Sequence, residues 1–168
     1  MKNRFKFFLA LTILYAMFIF YLSSKSSLGD PRAILDIDVL RSIFHYLEGS
    51  GMIFILYPFE IFYQYPDKAA HMIQYALFGF LLHLTMKKSP YPSFRDHAML
   101  FTIAIGILYG MSDELHQSFV PGRTASILDL AADGMGVILA QTFIFIKDKL
   151  CTMHNNLSKS QEQDKFNE

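Results

Sequence analysis

Tryptophan is absent from the 168 residues, cysteine occurs once, and neither sign of charge is in excess, with 15 Lys and Arg against 15 Asp and Glu. Each absence excludes something. The lone Cys151 cannot close an internal disulfide, and beside a polar tail in a reducing compartment the thiol is inert. Balanced charge removes the electrostatic case for nucleic acid as a partner. Without tryptophan, an aromatic belt at a membrane surface has to come from tyrosine and phenylalanine. Tyr21, Tyr57, Tyr63, Tyr65 and Tyr91 do stand at the ends of apolar runs.

What is present is apolar sequence: 52% of residues are hydrophobic and 18% charged, and the mean hydropathy is +0.27. That is too apolar and too poor in charge for an ordinary soluble domain. Phe5 to Leu22 is broken only by Lys6. At about 1.5 Å rise per residue it nearly spans a hydrocarbon core of about 30 Å. Its basic start (Lys2, Arg4, Lys6) is like that of a secretory signal peptide. The run exceeds the roughly 7–15 residues of such a segment, and no small-residue cleavage site follows, so it is expected to stay as an anchoring helix.

Three more runs have spanning length: Lys68 to Met86, His97 to Leu115 and Ile127 to Ile146. Lys87, Lys88, Ser89 and Pro90 stop the first, and Lys147, Asp148 and Lys149 stop the last. Ser23 to Ser50 is polar and carries the turn signal Gly29-Asp30-Pro31, so it is expected as a loop with a short helix. Gly51 to Tyr65 is aromatic but contains Pro58 and Glu60 and falls short of about 20 residues, which suits an interfacial or re-entrant segment. The predicted fold is therefore all-α: a polytopic integral membrane protein with four transmembrane helices (about 5–22, 68–86, 97–115 and 127–146) and that additional segment. Residues 1–150 form one membrane domain, and 151–168 a polar cytoplasmic tail expected to be disordered.

Cations set the orientation. Lys2, Arg4 and Lys6, then Lys87, Lys88 and Arg95, then Lys147 and Lys149 share one side in a four-helix count, and the positive-inside rule makes that side cytoplasmic. Both termini then lie in the cytoplasm, and the long loop and the short loop from His116 to Ala125 face outward.

This topology gathers the ionisable residues at the outer end. Helix two begins with Asp67, Lys68, His71 and Tyr75; helix three ends with Ser112, Asp113, Glu114 and Gln117; helix four follows Arg123 and carries Asp129 and Asp133. At about 100° per residue Asp67, His71 and Gln74 share one face, as do Asp129, Asp133 and Gly136. Asp113 and Gln117 share another, from which Glu114 points about 100° away. Taken singly, most of these have ordinary explanations. Asp67 suits a helix N-terminus, Ser126 and Asp129 resemble a capping box, Tyr75 suits a belt or core, and a buried histidine is commonly just hydrogen-bonded. Asp133 resists such a reading, because nearly two turns into a membrane helix an unpaired carboxylate costs about 2.5–3.5 kcal/mol or more.

Counting decides the matter. Asp67, Asp113, Glu114, Asp129 and Asp133 outnumber Lys68 and Arg123, so the group is balanced by a divalent cation, by a cationic substrate group, or by acids that keep their protons. No tight ligand motif such as H-E-x-x-H is present, so the sequence leaves the metal, and any cofactor, unspecified.

The ordered set Asp67-Lys68-x-x-His71-x-x-x-Tyr75-x-x-x-Gly79, Ser112-Asp113-Glu114-x-x-Gln117-x-Phe119-x-Pro121-x-Arg123, and Asp129 with Asp133-x-x-Gly136 resembles the VanZ-like family over Asp67 to Ala140. The family's namesake is associated with low-level resistance to the glycopeptide teicoplanin. The resemblance thus implies a bacterial cytoplasmic-membrane protein concerned with the cell envelope. Under that expectation the chain acts on an envelope lipid or glycan precursor, with Asp113, Glu114 and His71 as acid/base candidates. Asp67, Lys68, Tyr75, Gln117, Arg123, Asp129 and Asp133 would bind substrate, with Arg123 or Lys68 holding an anionic headgroup. The alternative is a non-catalytic membrane factor or small transporter that uses the same polar cluster for binding or helix packing.

Overall fold

The computed structural model describes residues 2–26, 46, 49, 50 and 64–166. Within them five helices follow one another: α1 (Lys2–Ser23), α2 (Pro66–Lys87), α3 (Pro92–Asp96), α4 (Ala98–Gln117) and α5 (Ile127–Phe166), with no strand among the described residues. Asn3–Ser23, Pro66–Lys87, Ala98–Gln117 and Ile127–Asn156 are long and apolar enough to cross a membrane. The chain is an all-α, multi-pass membrane protein. Its expected re-entrant segment, Gly51 to Tyr65, falls outside the described residues except for Gln64 and Tyr65, as does most of the Ser23 to Ser50 loop.

Local chemistry sets the helix ends. Pro66 opens α2 at a position where its missing N–H costs nothing, and Asp67 in the first turn suits the helix dipole. Lys87 closes the helix with the complementary charge. The chain then turns through Ser89, whose hydroxyl accepts the Tyr91 N–H at 3.2 Å, and the one-turn α3 leads into α4. At the other end Pro121 and Gly122, the latter at φ 81°, make the bend into α5. Ser126 Oγ accepts the Asp129 N–H at 3.3 Å, which is the first half of the capping box.

At the C-terminus, where a disordered tail is expected, residues 151–166 continue α5 as helix. No glycine or proline follows Gly136, so no helix breaker ends α5 at the membrane. At about 1.5 Å per residue, 40 residues run about 60 Å, twice the hydrocarbon thickness.

Glycine brings the central helices together. A Cβ on Gly136 would collide with the Met72 carbonyl oxygen and stand 2.9 Å from the Ala76 nitrogen, so α2 and α5 touch backbone to backbone there. Small residues at such crossings permit the dispersion contacts that hold helices together in lipid, where no hydrophobic force separates helix from solvent. Around this crossing Ile19, Tyr75, Phe78, Leu82 and Val137 form the dry core. The buried face of α4 runs Ala98, Thr102, Gly106, Gly110, Asp113 and Gln117, small residues that lead to polar ones. Helix α1 is attached from outside: the Tyr109 hydroxyl donates to the Ala16 carbonyl at 2.6 Å, and Phe20 stacks on His116 with ring centroids 4.3 Å apart. Large exposed side chains such as Leu14, Met17, Leu100, Leu108 and Phe143 cover the outer surface, as hydrocarbon contact requires.

Candidate functional site

Because α2 and α5 start, and α4 ends, at the same end of the bundle, their polar residues meet there. His71 and Asp133 join α2 to α5, with Nδ1 and Oδ1 2.9 Å apart. An ionised carboxylate only accepts, so Nδ1–H donates and the lone pair of the ring falls on Nε2. From α4, Asp113 Oδ2 accepts the Gln117 side-chain N–H at 3.1 Å. Its neighbour Glu114 turns toward the α4–α5 loop, and its Oε2 accepts the Ser126 backbone N–H at 2.7 Å.

The three carboxylates share a pattern. Each has one oxygen held by a protein donor, and the other (Asp113 Oδ1, Glu114 Oε1, Asp133 Oδ2) is buried without a hydrogen-bond partner among the described residues. Asp113, Glu114 and Asp133 are only 4%, 6% and 0% exposed. Gly110 makes room for the last of these, since a Cβ there would lie 3.2 Å from Asp133 Oδ2. Ligand atoms of His71, Asp113, Glu114 and Asp133 all lie within 4.8 Å of one another, and so do those of Asp67, His71 and Asp129.

The cations stand at the rim. Lys68 Nζ pairs with Asp129 Oδ1 and lies 3.4 Å from Asp67. Arg123 donates to Gln117 Oε1 at 2.6 Å and forms no ion pair among the described residues. Below the carboxylates Tyr75, Phe78 and Tyr109 make an aromatic floor, with the Phe78 and Tyr109 centroids 4.9 Å apart and those of Tyr75 and Tyr109 6.3 Å apart.

The VanZ/LLP1 family model matches residues 7–148. The chain belongs to the VanZ/LLP1 family. The matched region runs from α1 through the membrane part of α5 and contains the whole polar cluster; no curated protein and no solved structure matches the chain.

In this VanZ/LLP1 chain the sequence-derived site residues divide by depth. His71, Asp113, Glu114, Gln117, Asp129 and Asp133 are buried together, whereas Asp67 is an exposed rim residue and Lys68 and Arg123 are half-buried. Tyr75 is fully buried one turn beneath His71, with its hydroxyl unpartnered, so it contributes to the floor. Lys68, one of the two candidates for holding an anionic headgroup, is engaged by Asp129. Glu114 does turn to a different neighbour, as its position on the helix suggested, but it stays in the same cluster. Sequence reasoning passed over the Ser126 backbone N–H, a contact that leaves no trace in residue type. It also passed over His116, which Ser24 meets at 3.0 Å.

A second buried polar group was missed farther along the bundle. His83 Nδ1 lies 2.7 Å from Gln141 Oε1, Gln141 donates to the Gly79 carbonyl at 3.2 Å, and the Thr12 and Thr85 hydroxyls are 2.8 Å apart. The available signal was a set of polar residues inside apolar runs on separate helices.

Proposed function

We propose that the polar pocket holds the headgroup of an envelope lipid or lipid-linked glycan precursor at the outer face of a bacterial cytoplasmic membrane. The observation that carries this reading is the placement of three buried carboxylates with free oxygens at helix ends, the depth at which headgroups reside. Arg123 at the rim has no carboxylate partner among the described residues and suits an anionic group such as phosphate. His71, Asp113 and Glu114 are the acid/base candidates. Orientation follows from Arg4, Lys6, Lys87, Lys88, Arg95, Lys147 and Lys149, which belong to the end opposite the pocket; by the positive-inside rule that end, with both termini, is cytoplasmic.

Comparison of envelope lipids and precursors, and of teicoplanin susceptibility, between cells lacking the protein and cells expressing Asp113→Asn or Arg123→Ala tests the proposal. Both variants are expected to reproduce the deletion while accumulating normally. Wild-type envelope composition and drug susceptibility in both would sink it.

A non-catalytic membrane factor or small transporter is the second reading. It is favoured by bonds that tie helices and loop to one another, His71 to Asp133 and Glu114 to Ser126. Asp129→Asn separates the two: loss of the protein from the membrane supports a packing network, and normal accumulation with a lost phenotype supports a site.

A further inference from the structure

We infer that His71, Asp113, Glu114 and Asp133 together bind one divalent transition-metal cation. A cluster of acids alone would not establish this. The decisive feature is the distribution of partners: each carboxylate is fixed through one oxygen by Gln117, Ser126 or His71, while the second oxygen is buried and has no protein donor. Metal-binding carboxylates and imidazoles show this division of labour, in which outer hydrogen bonds orient the group and the remaining lone pair faces the ion. His71 joins the set through Nδ1, where the ion takes the place of the proton now shared with Asp133 Oδ1, because an ion on Nε2 would lie beyond the reach of a carboxylate held at Nδ1.

Spacing agrees. Ligands around one ion at about 2.0–2.2 Å lie at most about 4.4 Å apart. The four residues already bring ligand atoms within 4.8 Å of one another, close to that limit before any ion draws them in. Charge agrees as well. Among the described residues Lys68 is engaged by Asp129 and Asp67, and Arg123 reaches only the Gln117 oxygen, so neither of these two cations offsets the three inner carboxylates. An imidazole among carboxylates directs the choice toward manganese, iron or zinc rather than magnesium or calcium. The neighbouring group of Asp67, His71 and Asp129 is less suited, since Asp67 is exposed and Asp129 is neutralised by Lys68.

This inference shares with the proposed function only the premise that these residues form one site; no envelope component enters it. The test uses the full-length protein purified in detergent, stripped with chelator and titrated with Mn2+, with free Mn2+ read by electron paramagnetic resonance. One Mn2+ per chain is expected, together with a rise in the thermal midpoint on binding. Asp113→Asn, at a residue that belongs to the four-residue group and not to the neighbouring one, is expected to weaken binding by at least about 100-fold, beyond the about 10–100-fold range of outer-shell changes. His83→Gln, far along α2, keeps wild-type binding. Should Asp113→Asn fail to fold, Glu114→Gln and the wild-type midpoint shift carry the same decision. No saturable binding of Mn2+ or of competing Zn2+ by folded wild type overturns the inference, as does undiminished binding by a folded variant. Folded wild type that supports the envelope function yet binds neither Mn2+ nor Zn2+ would refute the cation while leaving the headgroup reading in place.

Discussion

Helices α2 and α5 bury polar side chains together at two levels, His71 with Asp133 near one surface and His83 with Gln141 farther along both helices. The deeper pair holds no carboxylate and is complete. The imidazole donates to the carboxamide oxygen, the carboxamide nitrogen donates to the Gly79 carbonyl, and none of His83, Gln141, Thr12 and Thr85 has a buried polar atom without a partner. The outer group is acidic and incomplete, with one oxygen on each of three acids left without a partner among the described residues. Helix cohesion in lipid needs only the first arrangement. An orphaned carboxylate oxygen costs free energy wherever it is buried, so its presence three times over supports the reading of a binding site over one of packing alone.

The sharpest way to break this contrast is to remove the acids. Asp113→Asn combined with Asp133→Asn is expected to abolish the envelope phenotype while thermal unfolding in detergent, without added metal, shows an unchanged or higher midpoint, because like charges are taken out of a dry site. A large drop in the midpoint would make the outer group structural like the deeper one. Next in size is Lys68→Met, which leaves Asp129 buried without its cation. Breaking a fully buried pair costs about 3–5 kcal/mol, and since the Lys68 side chain is 32% exposed about 1–3 kcal/mol is expected. Adding Asp129→Asn should restore most of that loss in the same chemical-denaturation measurement.

Legibility in the sequence follows the same division. Spans are written in run length and in the position of Lys87, Lys88, Lys147 and Lys149, because the hydrocarbon core enforces both. The convergence of Asp67, His71, Asp113, Asp129 and Asp133 follows from helix order alone. Which oxygen remains free does not, since the Ser126 backbone donor to Glu114 and the capture of Lys68 by Asp129 depend on loop path and helix rotation. The helical course of 151–166 was missed because polarity was taken for disorder although no residue there breaks a helix. His83 and Gln141 were overlooked because each, alone, is a single polar residue in an apolar run.

The deeper layer is expected to yield a smaller, purely structural effect. A double-mutant cycle with His83→Leu and Gln141→Leu should give a coupling energy of about 0.6 kcal/mol and at most about 1.7, the range measured for polar contacts between membrane helices. Unfolding of the four proteins in mixed micelles measures it, and the envelope phenotype should follow stability alone. A variant that stays folded yet loses the phenotype would give the deeper layer a functional share and blur the distinction between levels.

Asp67→Asn should change least. Its side chain is 62% exposed and its contact with Lys68 is 3.4 Å, so water and salt already screen most of the attraction. Lys68 would keep its stronger pairing with the buried Asp129, and the stability change should stay within about 0.5 kcal/mol and shrink further in high salt. A loss well above about 1 kcal/mol, insensitive to salt, would mean that Asp67 shares the dry environment of Asp113 and Asp133. The boundary of the charged layer would then lie at the α2 N-terminus instead of at His71.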